Sequence, residues 1–241
     1  MIEATIADRV VEIRQRMAAA AARAGRAPRD VTLLAAAKTR SPAEIDAAVA
    51  AGVDAVGHNY VQEAAATRPL VTRAAPWRLI GALQRNKAAL AAGGLFEAVD
   101  TVDRAALADS LSRRREEAGL APLEVLIEVH LGDEASKAGV GAEEAEALLA
   151  HVQLLPGLKC LGVMTLPPPG EAQAMRPWFA ALAVLAERLR AASGLPLPVV
   201  SMGMSGDYEV AIEEGATLVR LGTVLFGPRD SVGATLDSGR Q

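Results

Sequence analysis

Eight short apolar runs, each followed by a longer amphipathic stretch, constrain this chain more than any other feature. They occupy residues 31–37, 55–57, 77–80, 98–100, 125–129, 158–164, 199–202 and 218–221. A run without polar alternation reads as a strand buried on both faces, and such strands belong to parallel sheets covered by helices. The stretches between them carry helix signals. In "SPAEIDAAVAAG", Ser41 is placed to cap, Pro42 occupies the first turn, Glu44 follows the cap by three residues, and Gly52 ends the run. Similar helices are expected over 103–118, 142–151, 172–192 and 207–214, the last closing at Gly215. A further amphipathic helix, with Glu3, Asp8 and Glu12 among its apolar residues, precedes the first strand. Eight such units in 241 residues imply an α/β chain forming one domain over residues 1–241, a closed (β/α)₈ TIM barrel with an extra N-terminal helix. The competing architecture, an open doubly wound sheet, usually carries a glycine-rich turn after its first strand. Here that strand ends in Lys-Thr-Arg-Ser.

Charge and composition remove several function classes. A formal charge of -4 and 3% aromatic residues leave neither the basic footprint nor the stacking surfaces of a nucleic-acid binder. The one basic cluster, Arg113 to Arg115, runs straight into Glu116 and Glu117 and reads as a solvated helix face. A lone cysteine, Cys160 in the apolar setting "LKCLGVM", excludes an intrachain disulfide and reads as a small buried hydrophobe. The acidic residues of the first helix argue against a signal peptide, and no window approaches the ~18 uninterrupted apolar residues of a membrane span. The expected location is the cytoplasm, with no membrane and no nucleic acid as partner.

In a (β/α)₈ barrel the functional groups come from the C-terminal ends of strands and the loops after them. Lys38 stands at such an end, closing the apolar run of "VTLLAAAKTR". It is either the strand's exit into water or an amine for a carbonyl ligand. Asn59 follows the second strand, Gln84 and Asn86 the third, and Lys137 the fifth; Met164 and Thr165 close the sixth. Two later units have the makings of an anion site. In "SMGMSGDYEVAIEEG", Gly203 and Gly206 free the backbone to turn N–H groups toward a ligand, while Ser201 and Ser205 supply hydroxyls. In "RLGTVLFG", Gly222 and Thr223 do the same from the neighbouring strand. Phosphate held by the loops after strands seven and eight recurs in this fold, whereas the plain alternative is a pair of ordinary turns with serine caps. A phosphate site facing a strand-end lysine points to a phosphorylated carbonyl ligand. His58, His130 and His151 lie on separate units without metal-ligand spacing, so no metal is expected. His58 and His130 fall near strand ends, and His151 closes a helix.

The stretches "LLAAAKT", "GHNYVQE", "WRLIGALQRNK", "EASKAG", "GVMTL", "SMGMSGDYEVAIEEGATLVRLGT" and "LFG" run in this order over nearly the whole chain. They resemble the pyridoxal phosphate homeostasis proteins, stand-alone barrels similar to the N-terminal domain of alanine racemase. The resemblance implies a fold-type III barrel that binds pyridoxal 5'-phosphate (PLP). It implies that Lys38 bonds the cofactor as a Schiff base, and that Ser205, Gly222 and Thr223 contact its phosphate. Ser201 and Gly203 belong to the same motif. Asn59 matches a residue near the cofactor, and Arg220 matches the arginine facing the pyridine nitrogen. The sequence departs from the family pattern at His58, where glutamate is usual, at Ala82, where a larger residue is common, and at Gly206, which replaces a frequent acidic residue.

The function implied is a non-catalytic carrier that holds the cofactor and releases it to apoenzymes or salvage enzymes, acting as a monomer. Fold-type III enzymes such as racemases add a C-terminal β domain. Only fourteen residues follow Gly227, so that domain is expected to be absent and the mouth open to solvent. Two alternatives stand beside the carrier: a PLP-dependent enzyme on amino acids such as a racemase, and a class I aldolase using Lys38 without a cofactor.

Overall fold

The computed structural model describes residues 4–131, 138–168 and 170–228. Eight parallel strands close into a barrel: β1 (Thr32–Ala36), β2 (Ala55–His58), β3 (Trp77–Leu79), β4 (Ala98–Val102), β5 (Leu123–His130), β6 (Leu158–Met164), β7 (Val199–Ser201) and β8 (Leu218–Leu221). Each pairs with the next, and β8 returns to β1 with Leu34 opposite Arg220 and Ala35 opposite Leu221. A two-residue strand, Val140–Gly141, adds to the end of β5. The helices are α1 (Ile6–Arg23), α2 (Pro42–Ala50), α3 (Val61–Thr67), α4 (Ala88–Leu90), α5 (Ala105–Glu117), α6 (Ala145–Gln153), α7 (Arg176–Ser193), α8 (Tyr208–Glu213) and α9 (Thr223–Phe226). The expected TIM barrel with its extra N-terminal helix is the observed fold.

Alternation along the strands explains the apolar runs. Leu33, Trp77, Val99, Val125 and Val219 face the helices and join the main core. Leu34, Ala55, Ile80 and Leu218 point inward and form a separate small cluster on the barrel axis. Such apolar side chains contribute roughly 1.5–3 kcal/mol each on full burial. The interior is not wholly apolar. Arg78 donates from Nε and Nη2 to Asp100 at 2.7–3.1 Å, with Glu124 3.7 Å from its Nη1.

Strand ends differ from expectation where charge misled the pattern. The fifth strand was expected over 125–129 but begins at Leu123 and reaches His130, because Glu124 and Glu128 turn into the polar interior rather than ending the strand. The helix expected over 172–192 splits. A 3₁₀ turn, Ala172–Met175, precedes α7, whose first turn holds Pro177, where a missing N–H costs nothing. Helix α2 bears out its signals: Ser41 Oγ accepts from Glu44 N–H at 3.3 Å, and Glu44 accepts from Ser41 N–H at 2.8 Å. Among the described residues no helix is long and apolar enough to cross a membrane.

Helix α1 positions the two units that carry the serine- and glycine-rich loops. A Thr5–Asp8 capping box starts it, and its buried face presents Val10, Ile13 and Met17. It packs on α8 and α9. From its exposed side Arg16 and Arg23 bridge to Glu209 and Glu213 of α8 at 2.6–3.2 Å.

Candidate functional site at the barrel mouth

The C-terminal ends of the strands surround a cavity of about 410 Å³, within the usual range for small-molecule sites. Lys38, Asn59, Ser205, Arg220, Gly222 and Thr223 line it. They come from β2, β1, β8 and β7, four consecutive neighbours in the barrel. Ser201 and Gly203 do not reach the lining and act beneath it. Sequence reasoning missed Arg40, Leu166 and Met204, which also line the cavity. Arg40 was within reach of such reasoning, since it shares the short turn that presents Lys38.

That turn is built from the backbone. Ala37 N–H donates to Gly57 O of β2 at 2.8 Å, and Arg40 N–H donates to Ala37 O at 3.1 Å, so residues 38 and 39 project from the strand end. Thr39 has φ of 63°, a left-handed conformation that β-branched residues rarely adopt. Its N–H is held by the Glu63 carboxylate, which offsets the strain. Lys38 itself makes no hydrogen bond or ion pair with another described residue. Its amine is left for a ligand.

Arg220 points inward from β8 and is only 3% exposed. Its Nη1 donates to Ser201 Oγ at 2.6 Å and its Nη2 to Thr165 O at 2.9 Å. Thr165 Oγ1 donates in turn to Val129 O at 2.7 Å, tying the ends of β5 and β6 to the same guanidinium. Both acceptors are neutral. Burial lowers the Arg220 pKa from its ordinary value, while Asp100, Glu128 and Asp207 act in the opposite direction from beyond ion-pair distance. The remaining N–H donors of this fork have no partner among the described residues, and Arg220 lines the cavity.

The candidate anion cradle lies where the loop after β7 meets the start of α9. Gly222 N–H and Val224 N–H both point at Ser205 Oγ, each at 3.3 Å. Gly203 explains itself sterically: its φ is 91°, and a Cβ there would lie 2.6 Å from that of Ala211. It lets α8 pack against the strand end, and its carbonyl accepts from Arg220 N–H at 3.0 Å.

The other titratable groups have different settings. Glu128, 4% exposed on β5, is pushed up to about 7 by burial, reinforced by Asp103 and opposed by Arg220. His58 faces away from the mouth. It stacks on Trp77 at 4.9 Å, neither ring nitrogen has a hydrogen-bond partner, and burial pulls it down to about 4. His151 pairs with Asp109 at 2.7 Å on the surface. The thiol of Cys160 is pushed up to about 11 by burial, in keeping with an inert side chain. Among the described residues no cluster of three metal-ligating side chains occurs. Lys137 lies outside the described residues.

The chain as a whole is similar to known proteins. The alanine racemase N-terminal domain model matches residues 11–230. The pyridoxal phosphate homeostasis protein of Pseudomonas aeruginosa is 43% identical over 227 residues, covering 94% of this chain and 96% of the relative. That of Escherichia coli K12 is 38% identical over 230 residues, covering 93% and 97%. The solved structure of PipY from Synechococcus elongatus with PLP bound has a TM-score of 0.81 at 34% identity, covering 92% of this chain and 100% of PipY.

Proposed function

The chain belongs to the pyridoxal phosphate homeostasis protein family, and we propose that it holds PLP at its barrel mouth as a reservoir and hands it on to other proteins. One observation carries this reading. An unpartnered lysine amine, a fixed guanidinium and a pair of converging backbone N–H groups all face one cavity of ligand size. When bound, the cofactor supplies an aldehyde carbon that one amine at a time can hold covalently.

The residues present fit that group. Lys38 is the amine for the aldehyde, presented by its turn. Ser205, Gly222 and Thr223 would hold the phosphate, with the Gly222 and Val224 N–H groups able to exchange Ser205 Oγ for an anionic oxygen. Arg220, kept in place by Ser201 and Thr165 O, would donate to the ring nitrogen. A guanidinium donates and cannot accept a proton at working pH, so it would keep that nitrogen unprotonated and the ring a weak electron sink. That handicaps carbanion chemistry on an amino acid without by itself excluding catalysis. Asn59 lines the same wall. In this reading the protein is a cytoplasmic monomer without catalytic activity, and its recipients are apo forms of PLP-dependent enzymes and the vitamin B6 salvage enzymes.

Transfer is the decisive property. PLP-loaded protein mixed with an apoenzyme should activate it faster than the free cofactor released from the protein in the same time. Activation no faster than that release would reduce the role to passive binding. Rapid α-proton exchange on any amino acid would favour the racemase alternative.

A further inference from the structure

Arg40 lines the same cavity as Lys38, yet its guanidinium is used on the protein. Its Nη2 donates to Gly227 O at 2.8 Å, just past the end of α9. Its Nη1 donates to Glu44 Oε1 at 3.1 Å. Its Cζ lies over the Phe226 ring, 5.1 Å from the centroid, a cation–π contact. The side chain is 11% exposed. A second arginine grips the same place: Arg9 of α1 donates to Phe226 O at 2.9 Å. The short segment 222–227 is therefore fixed at one end by Ser205 and at the other by cations from two different elements.

Arg40 also belongs to the turn that carries Lys38, closed by its own N–H on Ala37 O. One residue thus connects the two ends of the ligand site. Its backbone sets the height of the Lys38 turn, while its side chain anchors the segment whose N–H groups form the anion cradle.

We propose that Arg40 is a positioning residue that fixes the spacing between the Lys38 amine and the Ser205–Gly222–Val224 cradle, so that a ligand with an aldehyde at one end and a phosphate at the other meets both at once. This deepens the cofactor reading above and rests on it. Two-point ligands gain from such a tie because the second contact forms without further ordering, whereas a one-point ligand gains nothing. Glu44 accepts from Arg40 and also closes the Ser41 capping box, so α2 takes part in the same brace.

The test separates two-point from one-point binding in the full-length apo protein. Affinities are measured for PLP, for inorganic phosphate as a competitor, and for pyridoxal, which keeps the aldehyde and ring but lacks the phosphate. In Arg40→Ala, PLP affinity should fall about tenfold or more while phosphate and pyridoxal each stay within about twofold. In Arg40→Lys, which keeps the charge but loses the planar two-donor fork, the PLP deficit should persist. Phosphate affinity falling in step with PLP would make Arg40 a direct anion contact and overturn the proposal, as would full rescue by Arg40→Lys. Should Arg40→Ala not fold, Arg40→Lys alone decides. If the wild-type protein takes up no PLP at all, the cofactor reading itself fails; if it binds PLP and Arg40→Ala binds it equally, only the role of Arg40 fails.

Discussion

At the scale of single residues, two buried side chains carry opposite pH signatures. His58 has its pKa lowered from 6.5 to about 4, so between those values the unfolded chain binds the extra proton. Its contribution to stability is present above pH 6.5 and is lost as pH falls toward 4. Glu128 is raised from 4.5 to about 7, so over that window the folded protein holds the extra proton. Its contribution is present below pH 4.5 and is lost as pH rises through 7. Each effect amounts to about 3 kcal/mol when fully developed. In the wild type the two slopes oppose each other between pH 4.5 and 6.5, and the apo protein should show a nearly flat stability there. Denaturant unfolding should then show Glu128→Gln losing stability as pH falls from 6.5 to 5, and His58→Phe losing it as pH rises over the same range. Parallel profiles for all three proteins would contradict the assignment. Neither property is legible in the sequence. The sequence puts His58 near a strand end, and only the pairing of Gly57 with Arg78 and of His58 with Leu79 puts its ring against Trp77.

At the scale of elements, the strands were legible because both faces of each are covered, and the helices because caps and glycines mark their ends. What escaped was set by partners distant in sequence. The start of β5 is hidden by Glu124, whose charge is accommodated only because Arg78 projects from β3 into the same interior. The break before α7 follows from Pro177 at its first turn, a local signal that an otherwise continuous apolar pattern obscured. The register of β6 was also illegible. It shifts between Val125 and Leu126 of β5, which pair with Cys160 and Gly162. Gly162 has φ of 152°, and a Cβ there would lie 1.8 Å from Val199 O, so β6 and β7 approach in a way no other residue permits. Gly162→Ala should destabilise the barrel by several kcal/mol, about the scale of a disrupted core, measured as loss of cooperative unfolding or of soluble protein. Gly206→Ala, with nothing within 4 Å of the added carbon, should fold normally and is the matched control.

At the scale of the whole molecule, the barrel gathers residues from positions 38 to 223 onto one arc of its mouth, and the site was largely legible because strand ends in this fold share one face. Lys38, Asn59, Ser205, Arg220, Gly222 and Thr223 line one cavity. Ser201 and Gly203 were legible as motif members, but their tasks were not. A serine at a strand end looks like a ligand contact until the Arg220 fork is seen to occupy its hydroxyl. The central claim is that one lysine in this chain, at that mouth, is the covalent anchor for PLP. The chain offers four lysines, at 38, 87, 137 and 159. Borohydride reduction of the PLP-loaded protein, followed by peptide mapping, reads out which of them carried the cofactor. The label should fall on Lys38, and Lys38→Ala should be left unlabelled at the same cofactor concentration. Label distributed among the other three lysines, or undiminished in Lys38→Ala, would contradict the account.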